Sequence, residues 1–310
     1  MISRRNIRVK VMQTLYTLNT LEEGQNHPDP VKLLKKQIDA SRQLFTYLLY
    51  VLTEVARYSE TDALKRASKN LPSHQDLNVN TKLSGNETLW KIIENASFKK
   101  AVEDDKPNLI EDTSTQVKSI YRKLAETEEY RKYITEQSRE KKLEKDIIVF
   151  IFTNLMLPSE SFTSHVEEFF SNWDDDAEMI DQLMLSYLQK PAGYNLQEMV
   201  SPEKWEFAKS LLVTVRDKRE YALELIKPKL KNWDAERIAV LDMILMEMGV
   251  CELLYFETIP TKVTINEYID LAKAYSTPQS GQFVNGILDS IHKELTSQDK
   301  IHKVNFKQKA

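Results

Sequence analysis

An all-α fold is predicted by three features of the sequence. Glycine is scarce, at 6 of 310 residues, against a usual ~7%. Charged residues make up 29% of the chain and hydrophobic ones 41%, the balance of long amphipathic helices. Apolar residues recur three and four positions apart through most of the chain, the periodicity of helices packed on one face. The same shortage of glycine argues against all-β folds and glycine-rich nucleotide loops. A chain of 310 residues holds one large domain or two of ordinary size. Its formal charge of −4 supplies no global field for nucleic acid, so any such binding requires a local basic patch.

Ile7, Val11, Leu15 and Leu18 place residues 4–22 on one amphipathic helix, ended by Gly24, Pro28 and Pro30. Leu34, Ile38, Phe45, Leu48, Leu52 and Val55 give a second helix over residues 31–57. Residues 58–88 are polar, contain Pro72 and Gly85, and read as a loop or linker. Residues 115–145 are rich in Lys, Glu and Arg with sparse Val117, Ile120, Leu124, Tyr130 and Ile134, and predict one long, mostly solvated helix. Ile147 to Leu157 reads as a buried helix, and residues 162–189 as two more, broken near Asn172 to Asp176. Ser201 and Pro202 fit an N-cap and a first helical position, opening a helix that runs to Ile226 and stops before Pro228. The next begins near Asp234, carries Leu241, Leu245 and Met248, and ends before Pro260. Thr264 and Glu267 form a capping-box pattern that opens a helix carrying Ile265, Ile269 and Ala272. Ser276, Thr277 and Pro278 stop it. A last helix from Ser280 carries Val284, Ile287, Leu288, Ile291 and Leu295, followed by a basic tail over residues 297–310. No period of the length seen in solenoids is present.

The single cysteine, Cys251, cannot form an intrachain disulfide, and the opening MISRRNIRVK lacks the apolar stretch of a signal peptide. The apolar runs Leu44 to Leu52 and Ile147 to Leu157 fall short of the roughly 18 residues that suggest a membrane span. A reduced, cytoplasmic protein is the expectation.

No enzyme signature emerges. His27, His74, His165, His292 and His302 have no spacing that brings two onto one helical face for a metal. Cys251 sits in an apolar helix without a nearby histidine and reads as a buried, inert thiol. Asp174, Asp175 and Asp176 read as a solvated helix start suited to the macrodipole, with a cation site as the alternative. Glu252 shares the stripe of Leu241 and Leu245 and reads as a buried carboxylate bonded to a helix terminus. No cofactor is expected.

The first helix is unusual. Arg4, Arg5 and Arg8 occupy its opening turns with Lys10 just after, where positive charge opposes the helix dipole by roughly 0.3–1 kcal/mol each. Arg5 and Tyr16 share one stripe, about three turns apart. Two readings stand: a phosphate-binding ridge followed by a protein-contacting tyrosine, or a solvated N-terminus. Near the other end, Gln279 and Ser280 to Gly286 read as a loop entering a helix. Its amides suit an anion and Phe283 suits a stacked base; alternatively, Phe283 is core and Gly286 permits close helix packing.

Arg4-Arg5-Asn6-Ile7-Arg8 through Gln13-Thr14-Leu15-Tyr16 resembles the opening helix of the NusB family of bacterial transcription antitermination factors. Glu252-Leu253-Leu254-Tyr255, Ile259-Pro260-Thr261-Lys262-Val263, Ile265-Asn266-Glu267, Leu271-Ala272-Lys273, Phe283-Val284-Asn285-Gly286 and Leu288-Asp289 are similar to the family's C-terminal half. The resemblance covers residues 1–22 and 206–296, and residues 23–205 look like an enlarged helical insertion in the N-terminal half. It implies an all-α fold of NusB-like helical bundles and no enzyme activity. It further implies binding of boxA-like single-stranded RNA in ribosomal RNA transcripts, together with a NusE-type small-subunit ribosomal protein, within the RNA polymerase elongation complex. Carried over by position, Arg4, Arg5, Arg8, Lys10, Gln279, Gln282 and Phe283 fall on the RNA-binding stretches. Tyr16 and Asp242 fall at the partner interface. Many relatives have a lysine where this chain has Gln282, which removes one phosphate contact. Lys300, Lys303, Lys307 and Lys309 in the tail either compensate or are simply solvated.

About four neutralised phosphates give a salt slope near −3 on single-stranded RNA, from roughly −0.7 per contact. A domain of this type also opens some RNA cytosine methyltransferases, but the matching motifs here leave no following α/β domain, and the one cysteine lies within the match. The remaining alternative is a helical adapter whose insertion binds a protein and whose RNA face has decayed.

Overall fold

The computed structural model describes residues 2–21, 28–230 and 238–304. Among them every regular element is helical, as composition and periodicity predict. The chain divides into two compact units, one formed by Asp39–Met199 and the other by Ile2–Ile38 with Val200–Ala310.

The discontinuous unit opens with α1 (Arg4–Thr20), whose N-cap Ser3 accepts a hydrogen bond from the Asn6 amide. It also takes in the start of α2 (Pro30–Ala67). Its other helices are α11 (Pro202–Asp217), α12 (Arg219–Ile226), α13 (Val240–Tyr255), α14 (Thr261–Tyr275) and α15 (Ser280–Ser297). Ser201 caps α11 by accepting from the Lys204 amide, with Pro202 at the first helical position, as the sequence predicts. The single helix expected to reach Ile226 is instead broken at Lys218, between α11 and α12. The expected start at Asp234 lies outside the described residues.

α13 is apolar on nearly every face and buries Leu245, Met246, Met248, Val250, Cys251 and Leu253. A helix of that pattern belongs at the centre of a bundle, where each large side chain contributes about 1.5–3 kcal/mol by leaving water. α1, α11, α12, α14 and α15 all pack against it. Gly249 lets α15 approach, since a Cβ there would lie 2.9 Å from both Leu288 methyl carbons.

Within the continuous unit, α2 runs ten residues past the predicted end at 57, to Ala67. Ser73 then caps the short α3 (His74–Leu77). α4 (Glu87–Ile93) and α5 (Ala96–Asp105) are capped by Asn86 and Asn95. Residues 58–88 are therefore not a plain linker, and Leu83 within them is fully buried. The single helix expected over 115–145 is in fact three: α6 (Thr113–Glu126), α7 (Glu128–Thr135) and α8 (Lys141–Phe150). Thr127 divides the first two by accepting from the Tyr130 amide, a cap that ends one helix and starts the next. α8 continues through a wider π turn over Ile151–Met156. The pair α9 (Glu160–Phe169) and α10 (Trp173–Gln189) follows with the predicted break. Asp174 and Asp175 are exposed at the start of α10, but Asp176 is buried and accepts from Ser41 Oγ and Asn172 Nδ2, both at 2.7 Å. No single described helix is long and apolar enough to cross a membrane.

Candidate functional site

The N-terminal arginines of α1 meet carboxylates from three other helices of the same unit. Arg4 Nη2 donates to Glu203 Oε1 at 2.6 Å, and Arg5 Nη1 to Asp270 Oδ2 at 3.4 Å, both at the surface. Arg8 is different. Its side chain is 3% exposed and its guanidinium donates from Nε and Nη2 to both oxygens of Glu252, which is fully buried. Glu252 also accepts from Thr264 Oγ1 at 2.8 Å and Tyr268 Oη at 3.0 Å. Burial, with the Glu252 charge beside it, holds the Tyr268 hydroxyl well above its ordinary pKa, so it remains a donor. Arg4 and Arg8 also lie 5.5 Å from the centre of the Phe207 ring.

The structure corrects four expectations. Arg8 does not stand on the exposed ridge with Arg4 and Arg5, because Glu252 draws it into the interior. Lys10 is buried as well, at 2% exposure. Thr264 is not an N-cap: α14 starts at Thr261 after Pro260, and the Thr264 hydroxyl serves Glu252 while Glu267 reaches Arg8 Nη1 at 3.5 Å. Glu252 is the predicted buried carboxylate, but its partners are side chains rather than a helix terminus.

Residues 280–286 are helix from the outset, not a loop. The exposed Gln279 is the N-cap of α15, its carbonyl accepting from the amides of Gln282 and Phe283. No side chain caps this end, which leaves a helix N-terminus suited to negative charge. Gln282 lines a groove of about 610 Å³ with Asn266, Ile269, Asp270, Lys273, Gly281 and Asn285. Asp270 joins this groove to Arg5, and it pairs with Lys273 Nζ at 3.8 Å as well. The Lys273 stem crosses directly over Gly281, where a Cβ would sit 2.5 Å from its Cγ. Phe283 is half-buried beside the groove-lining Gln282.

The structure thus brings Arg5 and Gln282 to one polar groove through Asp270. Sequence reasoning missed Asn266, Asp270 and Lys273. Their spacing of four and three residues places them on one helical face, Asn266 and Lys273 inside motifs already quoted and Asp270 between them. Tyr16 is exposed on α1. Asp242, expected at a partner interface, is buried and accepts from Ser280 Oγ at 2.7 Å, tying the first turn of α13 to that of α15. In the tail, Lys303 is not solvated. Its Nζ donates to the carbonyls of Glu252 and Phe256 at 2.9 and 2.8 Å, capping the end of α13.

Comparison with known proteins matches the NusB family model to residues 166–293. The transcription antitermination protein NusB of Salinibacter ruber is 42% identical over 102 residues, 33% of this chain and 64% of that protein. The NusB protein of Chloroherpeton thalassium is 47% identical over 72 residues, 23% of this chain and 34% of its own length. This chain therefore spans less than two thirds of both. It spans 93% of the NusB protein of Methylacidiphilum infernorum, at 33% identity over 141 residues. The solved structure of Thermotoga maritima NusB, titled "T. maritima NusB, P3121, Form 2", is 35% identical, covers 34% of this chain and 77% of its own, and superposes with a TM-score of 0.31. With nearly the whole length of one curated relative matched at that identity, the chain belongs to the NusB family.

Proposed function

We propose that this chain is a non-enzymatic, cytoplasmic transcription antitermination factor that binds boxA-like single-stranded RNA together with a NusE-type ribosomal protein. Family membership supports the process. The observation that carries the RNA reading is the groove joining Arg5, Asp270, Lys273 and Gln282 beside the uncapped start of α15. Phosphates take the exposed cations and the helix N-terminus, while Gln282, Asn285 and Asn266 present hydrogen-bonding groups to base edges and Phe283 stands close by. With Arg8 and Lys10 inside, the available cations here are Arg4, Arg5 and Lys273, and their share of the salt slope is about −2 rather than −3. Tyr16 offers an exposed aromatic to the protein partner, and Asp242 acts through the α13 and α15 ends it holds.

The test is fluorescence anisotropy of a labelled boxA-like RNA and a scrambled RNA, each with and without the NusE-type protein. Selective binding that the partner strengthens, with Arg5→Ala and Lys273→Ala weakening it, supports the reading. Equal or absent binding to both RNAs in every combination overturns it and favours the adapter reading, which the burial of Arg8 and Lys10 and the presence of Gln282 would then explain.

A further inference from the structure

We propose that the continuous unit carries a second RNA-binding site, a lysine-lined groove that holds the phosphate backbone of single-stranded RNA. The inference rests on the RNA reading above and extends it to a part of the chain that mostly precedes the family match. The groove encloses about 470 Å³ between the start of α8, α4 and the end of α10. Lys91, Lys141, Lys142, Lys145 and Lys190 line it, with no acidic residue among its walls. In a chain of net charge −4, that is a concentrated local reversal of sign.

Few of these charges are answered by the protein. Lys91 pairs with Glu87 at 3.4 Å, and Lys145 Nζ donates to the neutral Gln189 Oε1 at 2.8 Å. Lys141, Lys142 and Lys190 are exposed and have no ion pair with any described residue. Three of the five lie in the first five residues of α8, whose N-cap Glu140 makes no side-chain capping bond. Cations at a helix N-terminus oppose the macrodipole, and a bound anion satisfies both at once. A second hollow of about 660 Å³ shares Lys91 and Ala192 with the first and is lined by Glu94, Tyr194, Asn195 and Gln197 as well as by Asn95, whose side chain is held by the Pro191 and Tyr194 carbonyls. A basic track beside amides and an aromatic edge is the composition of a path for single-stranded nucleic acid, and an acidic peptide would need only the lysines.

The experiment compares the full-length chain with Lys141→Ala/Lys142→Ala/Lys190→Ala, and with a control that changes Lys99, Lys118 and Lys132, exposed on the same unit, to Ala. A labelled 30-nucleotide single-stranded RNA and a labelled poly-glutamate peptide are titrated at several salt concentrations, with circular dichroism confirming the fold. The groove variant is expected to lose about tenfold in RNA affinity at 0.1 M salt and to flatten the salt slope by about 2, three contacts at roughly 0.7 each. The control should match wild type. RNA binding by the groove variant with wild-type affinity and slope overturns the inference, and if Arg5→Ala still weakens binding, the proposed function survives without it. Loss of poly-glutamate binding with RNA binding intact also overturns it, and makes the groove a docking site for acidic protein. Absence of RNA binding by the wild type overturns both readings.

Discussion

Arg8 and Glu252 lie 244 positions apart in sequence and form a two-bond ion pair in the interior, at 2.9 and 2.8 Å. A buried pair of this kind contributes little net stability over an apolar pair of the same volume, but removing one partner strands the other charge. Glu252→Ala should therefore lower unfolding free energy by about 3–5 kcal/mol. The double change Arg8→Met with Glu252→Leu should recover most of it. Urea denaturation of the two variants checks this, and equal instability would mean that the pair is worth more than its desolvation.

Asp270 pairs with both Arg5 and Lys273, and in the proposed RNA complex it would compete with phosphate for them. Asp270→Asn is expected to strengthen single-stranded RNA binding a few-fold, in keeping with the release of exposed ion pairs, and to steepen its salt dependence. A weaker complex in anisotropy titrations would show that Asp270 orients Arg5 rather than restrains it.

Gly249→Ala should destabilise the discontinuous unit by about 1–3 kcal/mol, because the added methyl meets both Leu288 methyls at 2.9 Å in a packed core. Leu288→Val in the same chain should relieve part of that cost. Thermal melts of the single and double variants give the coupling.

Burial pushes the Cys251 thiol up to about 12, with no part of the residue exposed. Iodoacetamide at mild alkaline pH should leave native protein unlabelled and label it fully in urea. Mass spectrometry reads the outcome directly.

His165 Nε2 lies 2.6 Å from the Tyr47 hydroxyl, and burial lowers its pKa from the ordinary 6.5. The unfolded chain therefore takes up a proton at higher pH than the folded one. The contribution of His165 to stability is present above its ordinary pKa and lost as pH falls through the folded value. Wild type should weaken on mild acidification more than His165→Gln does, as measured by urea midpoints from neutral to acid pH.

Helical periodicity places α1, α13 and α15 because each presents a continuous apolar stripe to one core. It fails at residues 58–88, where isolated Leu83 is fully buried, and just beyond, where α4, carrying the buried Leu89 and Ile92, packs on α8. It also merges α6, α7 and α8, since a single capping threonine among charged residues carries little signal. The site follows the same division. Arg5 and Gln282 are legible as exposed polar positions in recognisable motifs. The fate of Arg8 and Lys10 depends on which carboxylates the tertiary fold brings near α1, and no local pattern reports that.

Because α1 packs on α11 and α13, the order of synthesis matters. The ribosome releases α1 ahead of both partners and must translate Asp39–Met199 before either of them exists. At roughly 5–20 residues per second the delay is on the order of 10–40 s. Throughout it Ile7, Val11 and Leu15, buried in the fold, remain without their final cover. A circularly permuted chain beginning at Val200 and ending at Met199 would translate α11 and α13 before α1 and remove that wait.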